Sequence, residues 1–240
     1  MNIDSFIYTN QGGREYNEDY VFKKDFSDGI LFILADGLGG HQHGELASKC
    51  IAYTFLKAAE PSPDTDMEEW IRAGISRGNE NLLVIQAKKG CNMKTTAVVL
   101  SIRLSGACWA HVGDSRLYYF KKDKIVSVTE DHSVAYKKYK AGEITKEQIS
   151  TDEDQSSLLR SLGGRKCPII DTNHADTLEP GDAFLLCSDG LWEFISDEEM
   201  LFDMLKSPNA QTWAELVLNR VIDRVPAKHD NLSLITVMIQ

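Results

Sequence analysis

A chain of 240 residues with 42% hydrophobic side chains has the apolar content for a substantial core. It shows no Pro/Ser/Gly-rich divide, so a single domain is expected. A net charge of -10 counts against a nucleic-acid backbone as the main partner and suits a protein that gathers cations. No apolar run approaches the roughly 18 residues that span a bilayer, and the opening MNIDSFIYTNQ lacks the basic and apolar regions of a signal peptide. A cytoplasmic protein without a membrane partner is therefore expected. The five cysteines include no CxxC pair, and none is followed six residues later by arginine, which excludes a phosphocysteine-type phosphatase loop.

In chain order, Asp4 to Tyr8 reads as a first strand, followed by the polar stretch TNQGGREYNED over 9–19. Tyr20 to Phe26 and Ile30 to Ala35 form a hairpin about Asp28-Gly29. The second of these, ILFILA, is apolar at every position, as in a strand buried on both faces. It ends in Asp36-Gly37. An Asp-Gly pair ordinarily turns a hairpin, but a helical pattern follows Gly40, so Asp36 reads instead as an acid at the mouth of the sheet. In that pattern Leu46, Cys50, Tyr53 and Leu56 recur at helical spacing. In a second, beyond Pro61, so do Met67, Trp70, Ile71, Ile75, Leu82 and Ile85. Both stripes are expected in the core.

From Thr95 the period changes to two. TTAVVLSIRL, ACWAHVG, RLYYFKK and KIVSVTE read as four strands of one antiparallel meander, turning at Ser105-Gly106 and Lys122-Asp123. Residues Asp131 to Gly164 are polar with short helical pieces and read as a surface excursion. Ala183 to Cys187 is another buried strand, Ser196 and Glu199 make a capping-box pair, and Trp213, Leu216, Val217 and Val221 mark a last helix. Asn231 to Ile239 closes the chain as a strand. Strands in a meander with helices in pairs predict an α+β fold of antiparallel sheets covered by helices.

Three further aspartates stand at strand edges as Asp36 does: Asp114 after WAHVG, Asp189 after AFLLCS, and Asp230 before the final strand. Brought together without cations they would repel one another, so a convergent set implies metal. Carboxylate and backbone oxygen, without a nearby cysteine or HxxxH pair, favour magnesium or manganese over zinc.

Seven motifs, GREYNED (13–19), LADGLGGHQHGELAS (34–48), KTTAVVL (94–100), AHVGDSRLY (110–118), TEDHS (129–133), LLCSDGLWE (185–193) and HDNLSLITV (229–237), resemble the bacterial branch of the metal-dependent PPM family, the type 2C serine/threonine phosphatases. Their order and spacing match over nearly the whole chain. The resemblance implies a four-layer α-β-β-α sandwich with two metal ions at one edge. It implies that Asp36 bridges both ions, that the Gly37 carbonyl binds one, and that Asp189 and Asp230 complete the shell of the other. Glu18 and Asp19 would hold coordinated water, Asp114 with Asp189 would bind a third, weaker ion, and Asn231 would orient Asp230. Arg14 would contact phosphate oxygens with its planar fork. Two Mn2+ or Mg2+ ions about 3.5–4 Å apart would ready a water for in-line attack without a covalent intermediate. The implied partners are phosphoprotein substrates and a cognate serine/threonine kinase, with the phosphatase acting as a monomer.

Leu38 stands where many eukaryotic members carry a histidine after the DG pair, and Lys94 where the family often has glycine. His41, His43 and His132 remain as possible proton donors, none of them assigned. The excursion over 131–164 corresponds to the family's flap, whose Lys137, Lys138 and Lys140 are candidates for attracting acidic phosphopeptides. Two other readings stay open: a pseudophosphatase that keeps the fold as a binding module, though no metal acid is missing, and a metal-dependent phosphodiesterase, against which the acidic charge counts.

Overall fold

The computed structural model describes residues 1–38 and 43–240. Along the chain lie β1 (Ile3–Asn10), β2 (Tyr20–Phe26), β3 (Gly29–Ala35), the two-residue β4 (Gly37–Leu38), α1 (Gly44–Lys57) and α2 (Met67–Lys89). The short β5 (Lys94–Thr95) precedes β6 (Ala97–Arg103), β7 (Gly106–Val112), β8 (Arg116–Lys121) and β9 (Lys124–Val128). Then come α3 (Val134–Lys140), β10 (Asp171–Ala175), β11 (Asp182–Cys187), α4 (Asp189–Trp192), α5 (Asp197–Lys206), α6 (Ala210–Ile222) and β12 (Leu232–Ile239). Among the described residues no helix is long and apolar enough to cross a membrane.

Two five-stranded antiparallel sheets, ordered β1-β12-β11-β8-β9 and β10-β7-β6-β3-β2, pack face to face between helical layers. The layering follows from the strands' alternation. On β3, Phe32 and Leu34 turn inward to meet Leu117, Phe184, Ile235 and Val237 of the other sheet, while Leu31 and Ile33 turn outward against Ile51 and Phe55 of α1 and Ile71 and Ile75 of α2. On the far side, Tyr118, Phe120 and Leu185 pack against Met200 of α5 and Trp213 and Val217 of α6. Both faces of the central strands are therefore dry, which explains the near-continuous apolar runs. Ser196 and Glu199 form the reciprocal cap of α5 that their spacing predicts.

The expected single meander is corrected. β6 and β7 pair in one sheet and β8 and β9 in the other, with the chain crossing between sheets over 113–115. Gly113 makes the crossing with φ of 108°, and a Cβ there would lie 2.5 Å from the Thr96 side chain. Alternation is the same in two sheets that are each packed on both faces, so the sequence period does not reveal the change of sheet.

The α1 stripe is corrected in part: Cys50 is buried as expected and Leu46 packs beside it, but its other two residues are not. Tyr53 is 46% and Leu56 41% exposed, while Ala47, Cys50, Ile51 and Phe55 face inward. Ile51 and Phe55 share the helical spacing of the stripe, and α2 approaches that side at Gly74 and Gly78, where a Cβ would strike Phe55 and Ile51. Close packing against glycine decides which of two apolar stripes is buried. The strand β10 also escapes the sequence pattern, because an edge strand reading DTNHA carries mostly polar side chains.

The flap is tied at both ends, by a Ser133–Leu158 bridge and by a Thr95–Leu162 bridge, and it buries Ala135, Ile149 and Leu162. Lys138 is paired within it to Asp152 and Asp154, and Lys140 to Glu130. Two of the three flap lysines are thus already neutralised.

Candidate active site

β3 delivers Asp36 to the edge of its sheet, and two threonines fix it there. The Asp36 N–H donates to Thr96 Oγ1 at 2.9 Å, and its carbonyl accepts from the Thr96 N–H and from Thr95 Oγ1, both at 2.8 Å. Thr96 Oγ1 also shares a 2.7 Å hydrogen bond with Ser115, the neighbour of Asp114. Gly37 follows, its N–H donating to the Glu18 carbonyl at 3.1 Å. A Cβ on Gly37 would sit 2.2 Å from the Gly44 carbonyl oxygen and 2.7 Å from that of Glu18. Only glycine lets these backbones meet. The Glu18 carboxylate accepts the Gly44 N–H at 3.1 Å, at the positive end of α1.

The other sheet contributes the opposite wall. Asp189 opens α4 and accepts the Gly190 N–H at 2.6 Å. Ser188 Oγ donates to Asp19 Oδ2 at 2.8 Å. Asp230 accepts from Arg14 Nη2 and from the Asn231 N–H, each at 2.7 Å. Asn231 therefore orients Asp230 through its backbone. Its amide instead holds the 11–18 segment, donating to the Gln11 and Tyr16 carbonyls and accepting from the Glu18 N–H.

Burial sets the electrostatics of this cluster. Asp36 and Asp114 are held well above the ordinary carboxylate range by burial first, and then by Asp19 and Asp189 for Asp36 and by Asp189 and Asp131 for Asp114. Burial likewise lifts Asp19 to about 7 and, with the charge of Asp230, Asp189 to about 6. The Asp36 carboxyl lies within hydrogen-bonding reach of Asp189. Asp19 Oδ1 and Asp114 Oδ1 are buried without a hydrogen-bond partner among the described residues. Buried acceptors left unmatched cost free energy, and hard oxygen donors in mutual repulsion fit divalent cations. The donor set suits magnesium or manganese.

Arg14, Glu18, Asp36, Gly37, Leu38, His43, Asp189, Asp230 and Asn231 line one open cleft of about 810 Å³, together with Ser156 of the flap. Arg14 rests on Asp230, the pair 57% and 41% exposed, so the guanidinium can turn toward a ligand at small cost. Asp19 and Asp114 lie beneath, both buried. Lys94 stands opposite Leu38 in the β4–β5 pair. Of the candidate proton donors, His41 lies outside the described residues and His43 lines the cleft. His132 does neither. It is buried, its Nδ1 accepts the Gly113 N–H at 3.1 Å, and its Nε2 lies 3.1 Å from both Asp171 Oδ2 and Arg160 Nη1. Burial, with His111 stacked on it, lowers its pKa to about 4. His132 thus braces the loop before Asp114 rather than serving the cleft.

Sequence reasoning missed Thr95 and Thr96, whose hydroxyls fix the Asp36 backbone, Ser115, which bonds Thr96, and Ser188, which bonds the Asp19 carboxylate. The available signal was their polarity at the ends of otherwise apolar strands. Glu193 was also passed over, a carboxyl lifted to about 8 by burial and by the charges of Asp189 and Asp230.

A sequence profile described as protein phosphatase 2C matches residues 10–222. The chain is 34% identical over 202 residues to the serine/threonine phosphatase stp of Listeria welshimeri, covering 81% of this chain and 79% of that one. It is 34% identical over 195 residues to protein phosphatase PhpP of Streptococcus pneumoniae, covering 78% of each. Among solved structures, serine/threonine phosphatase Stp1 from Staphylococcus aureus superposes with a TM-score of 0.90 at 27% identity, over 100% of this chain and 96% of that one. The catalytic domain of the serine/threonine protein phosphatase PstP, in complex with two manganese ions, gives a TM-score of 0.83 at 25% identity, over 98% and 97%.

Proposed function

We propose that this chain, which belongs to the protein phosphatase 2C family and is a serine/threonine protein phosphatase, hydrolyses phosphoserine and phosphothreonine esters with divalent ions held by its buried aspartates. The observation that carries the metal dependence is the cluster of Asp19, Asp36, Asp114 and Asp189, acids from distant segments crowded beneath one cleft with two carboxylate oxygens unmatched. The two manganese ions named for the PstP structure support the same reading.

Asp36, the Gly37 carbonyl, Asp189 and Asp230 would hold two ions, with Asp19 and Glu18 beside them and Asp114 with Asp189 available to a third. When bound, such ions polarise the phosphoryl group and lower the pKa of water enough to supply hydroxide near neutral pH. Arg14 leaves Asp230 to grip two phosphate oxygens with its fork, aligning phosphorus for in-line attack. Thr95 and Thr96 fix the backbone that carries Asp36 and Ser188 holds the Asp19 carboxylate, so the site needs little reorganisation during the reaction. One P–O ester bond breaks as water adds to phosphorus, and the serine or threonine alkoxide takes up a proton to leave inorganic phosphate. No histidine is assigned that transfer.

The chain acts as one catalytic domain with the 131–164 flap beside the cleft, as a monomer in the cytoplasm, opposing a serine/threonine kinase. Hydrolysis of para-nitrophenyl phosphate with manganese, and then with chelator, tests the reading. Activity is expected only with metal; activity that survives chelation would refute it. An inert but metal-binding protein would favour the pseudophosphatase alternative.

A further inference from the structure

Tyr53 and Leu56 of the α1 stripe that the sequence assigns to the core face solvent, and α1 forms with α2 a groove of about 730 Å³. Its apolar floor includes Tyr53 and Val84, which are 46% and 53% exposed. Lys49, Lys57, Arg77 and Lys89 stand around it, and no aspartate or glutamate is among the described residues that line it. None of the four cations has an ion pair or hydrogen bond to a described residue. In a chain with 36 acids against 26 bases this local excess of positive charge is unusual.

Consecutive residues of α1 line the cleft and the groove. His43 and Glu45 line the cleft, and Leu46, the next residue on α1, lines the groove. From Leu46 to Lys57 the helix rises about 16 Å, the reach of about five extended residues. A polypeptide with its phosphorylated residue in the cleft can pass over the first turn of α1 and lie along this surface.

We propose that the α1/α2 groove docks an acidic, amphipathic segment flanking the phosphorylated residue of the substrate protein. Its apolar side chains pack on Tyr53 and Val84, and its carboxylates meet the four cations. The inference rests on the phosphatase reading of the cleft and adds the class of substrate. It also moves acidic recognition away from the flap, where Lys138 and Lys140 are already paired.

The test compares three substrates: para-nitrophenyl phosphate, a phosphothreonine peptide with a five-residue Asp/Glu-rich extension containing Leu and Phe on either side, and the same peptide with its acids replaced by amides. Wild type should show a kcat/KM about tenfold higher for the acidic peptide than for the amide peptide, expressed in KM and diminished by salt. The R77E/K89E variant should lose that preference and keep wild-type turnover of para-nitrophenyl phosphate; Arg77→Lys should retain the preference. Equal kcat/KM for the two peptides in wild type would overturn the groove proposal alone, as would a loss in R77E/K89E that is equal for all three substrates. A concentration-dependent dimer in analytical ultracentrifugation, abolished by R77E/K89E, would assign the groove to a second copy of this chain and overturn it too. Para-nitrophenyl phosphate reads the cleft by itself, so failure to hydrolyse it with manganese would instead overturn the catalytic reading, and substrate docking with it.

Discussion

The cleft and the α1/α2 groove are both lined by residues of the first turn of α1, yet their charges are handled in opposite ways. In the cleft, like charges are buried and forced together by rigid strand ends: Asp36 is clamped by Thr95 and Thr96, and Asp19 by Ser188. In the groove, cations stand at the surface around an apolar floor, without partners among the described residues. A site for small ions needs a geometry that the fold enforces against repulsion. A site for a flexible chain needs apolar area and long side chains that adapt. The two regions should therefore respond differently to the same kind of perturbation.

Removing a charge should be ruinous only in the cleft. Asp36→Asn or Asp189→Asn should lower kcat for para-nitrophenyl phosphate by about 10³-fold or more, the loss of several kcal/mol of transition-state stabilisation. Steady-state kinetics with manganese measures this, and near-normal turnover in either variant would dissolve the contrast. Adding one carbon should expose the rigidity of the cleft. Gly37→Ala drives a Cβ into two backbone carbonyls, and urea unfolding should show a loss of about 1–3 kcal/mol together with reduced activity. Alanine at an exposed groove position such as Val84 should change stability by less than about 0.5 kcal/mol.

Smaller effects sharpen the comparison. Arg14→Lys keeps the charge but loses the fork, and kcat/KM should fall about tenfold on phosphopeptides. An unchanged value would remove Arg14 from the phosphate. In chelated protein, Asp19 and Asp189 bind protons more tightly when folded than the usual carboxylate, at about 7 and about 6. Their contribution to stability is then present at low pH and is lost as pH rises from about 4 to 7. Scanning fluorimetry should record a decline of a few degrees in Tm over that window, which manganese reverses. A chelated Tm that rises steadily over the same interval would contradict the crowding of carboxylates.

Much of this was legible in the sequence, for physical reasons. ILFILA announced a strand buried on both faces, and an acid at its end had no turn to make. Antiparallel sheets covered by helices, and acids at strand edges, followed from patterns that burial imposes, whereas the two-sheet sandwich and the places of Glu18 and Asp19 came from the family resemblance. What could not be read were relations between elements. The change of sheet at Gly113 leaves alternation intact, and the buried stripe of α1 was decided by Gly74 and Gly78 on another helix. The hydroxyls of Thr96 and Ser188 acquire meaning only once distant strands are neighbours. Tyr53, misread as core, belongs to the floor that carries the docking proposal.

Isothermal titration of Mn2+ into metal-free protein near pH 7.5 tests the central claim most directly. Wild type should bind two ions, Asp36→Asn should lose that binding, and Asp114→Asn should keep it. Absence of binding in wild type, or binding indifferent to Asp36→Asn, would contradict the account of the cleft as a carboxylate cage for catalytic ions.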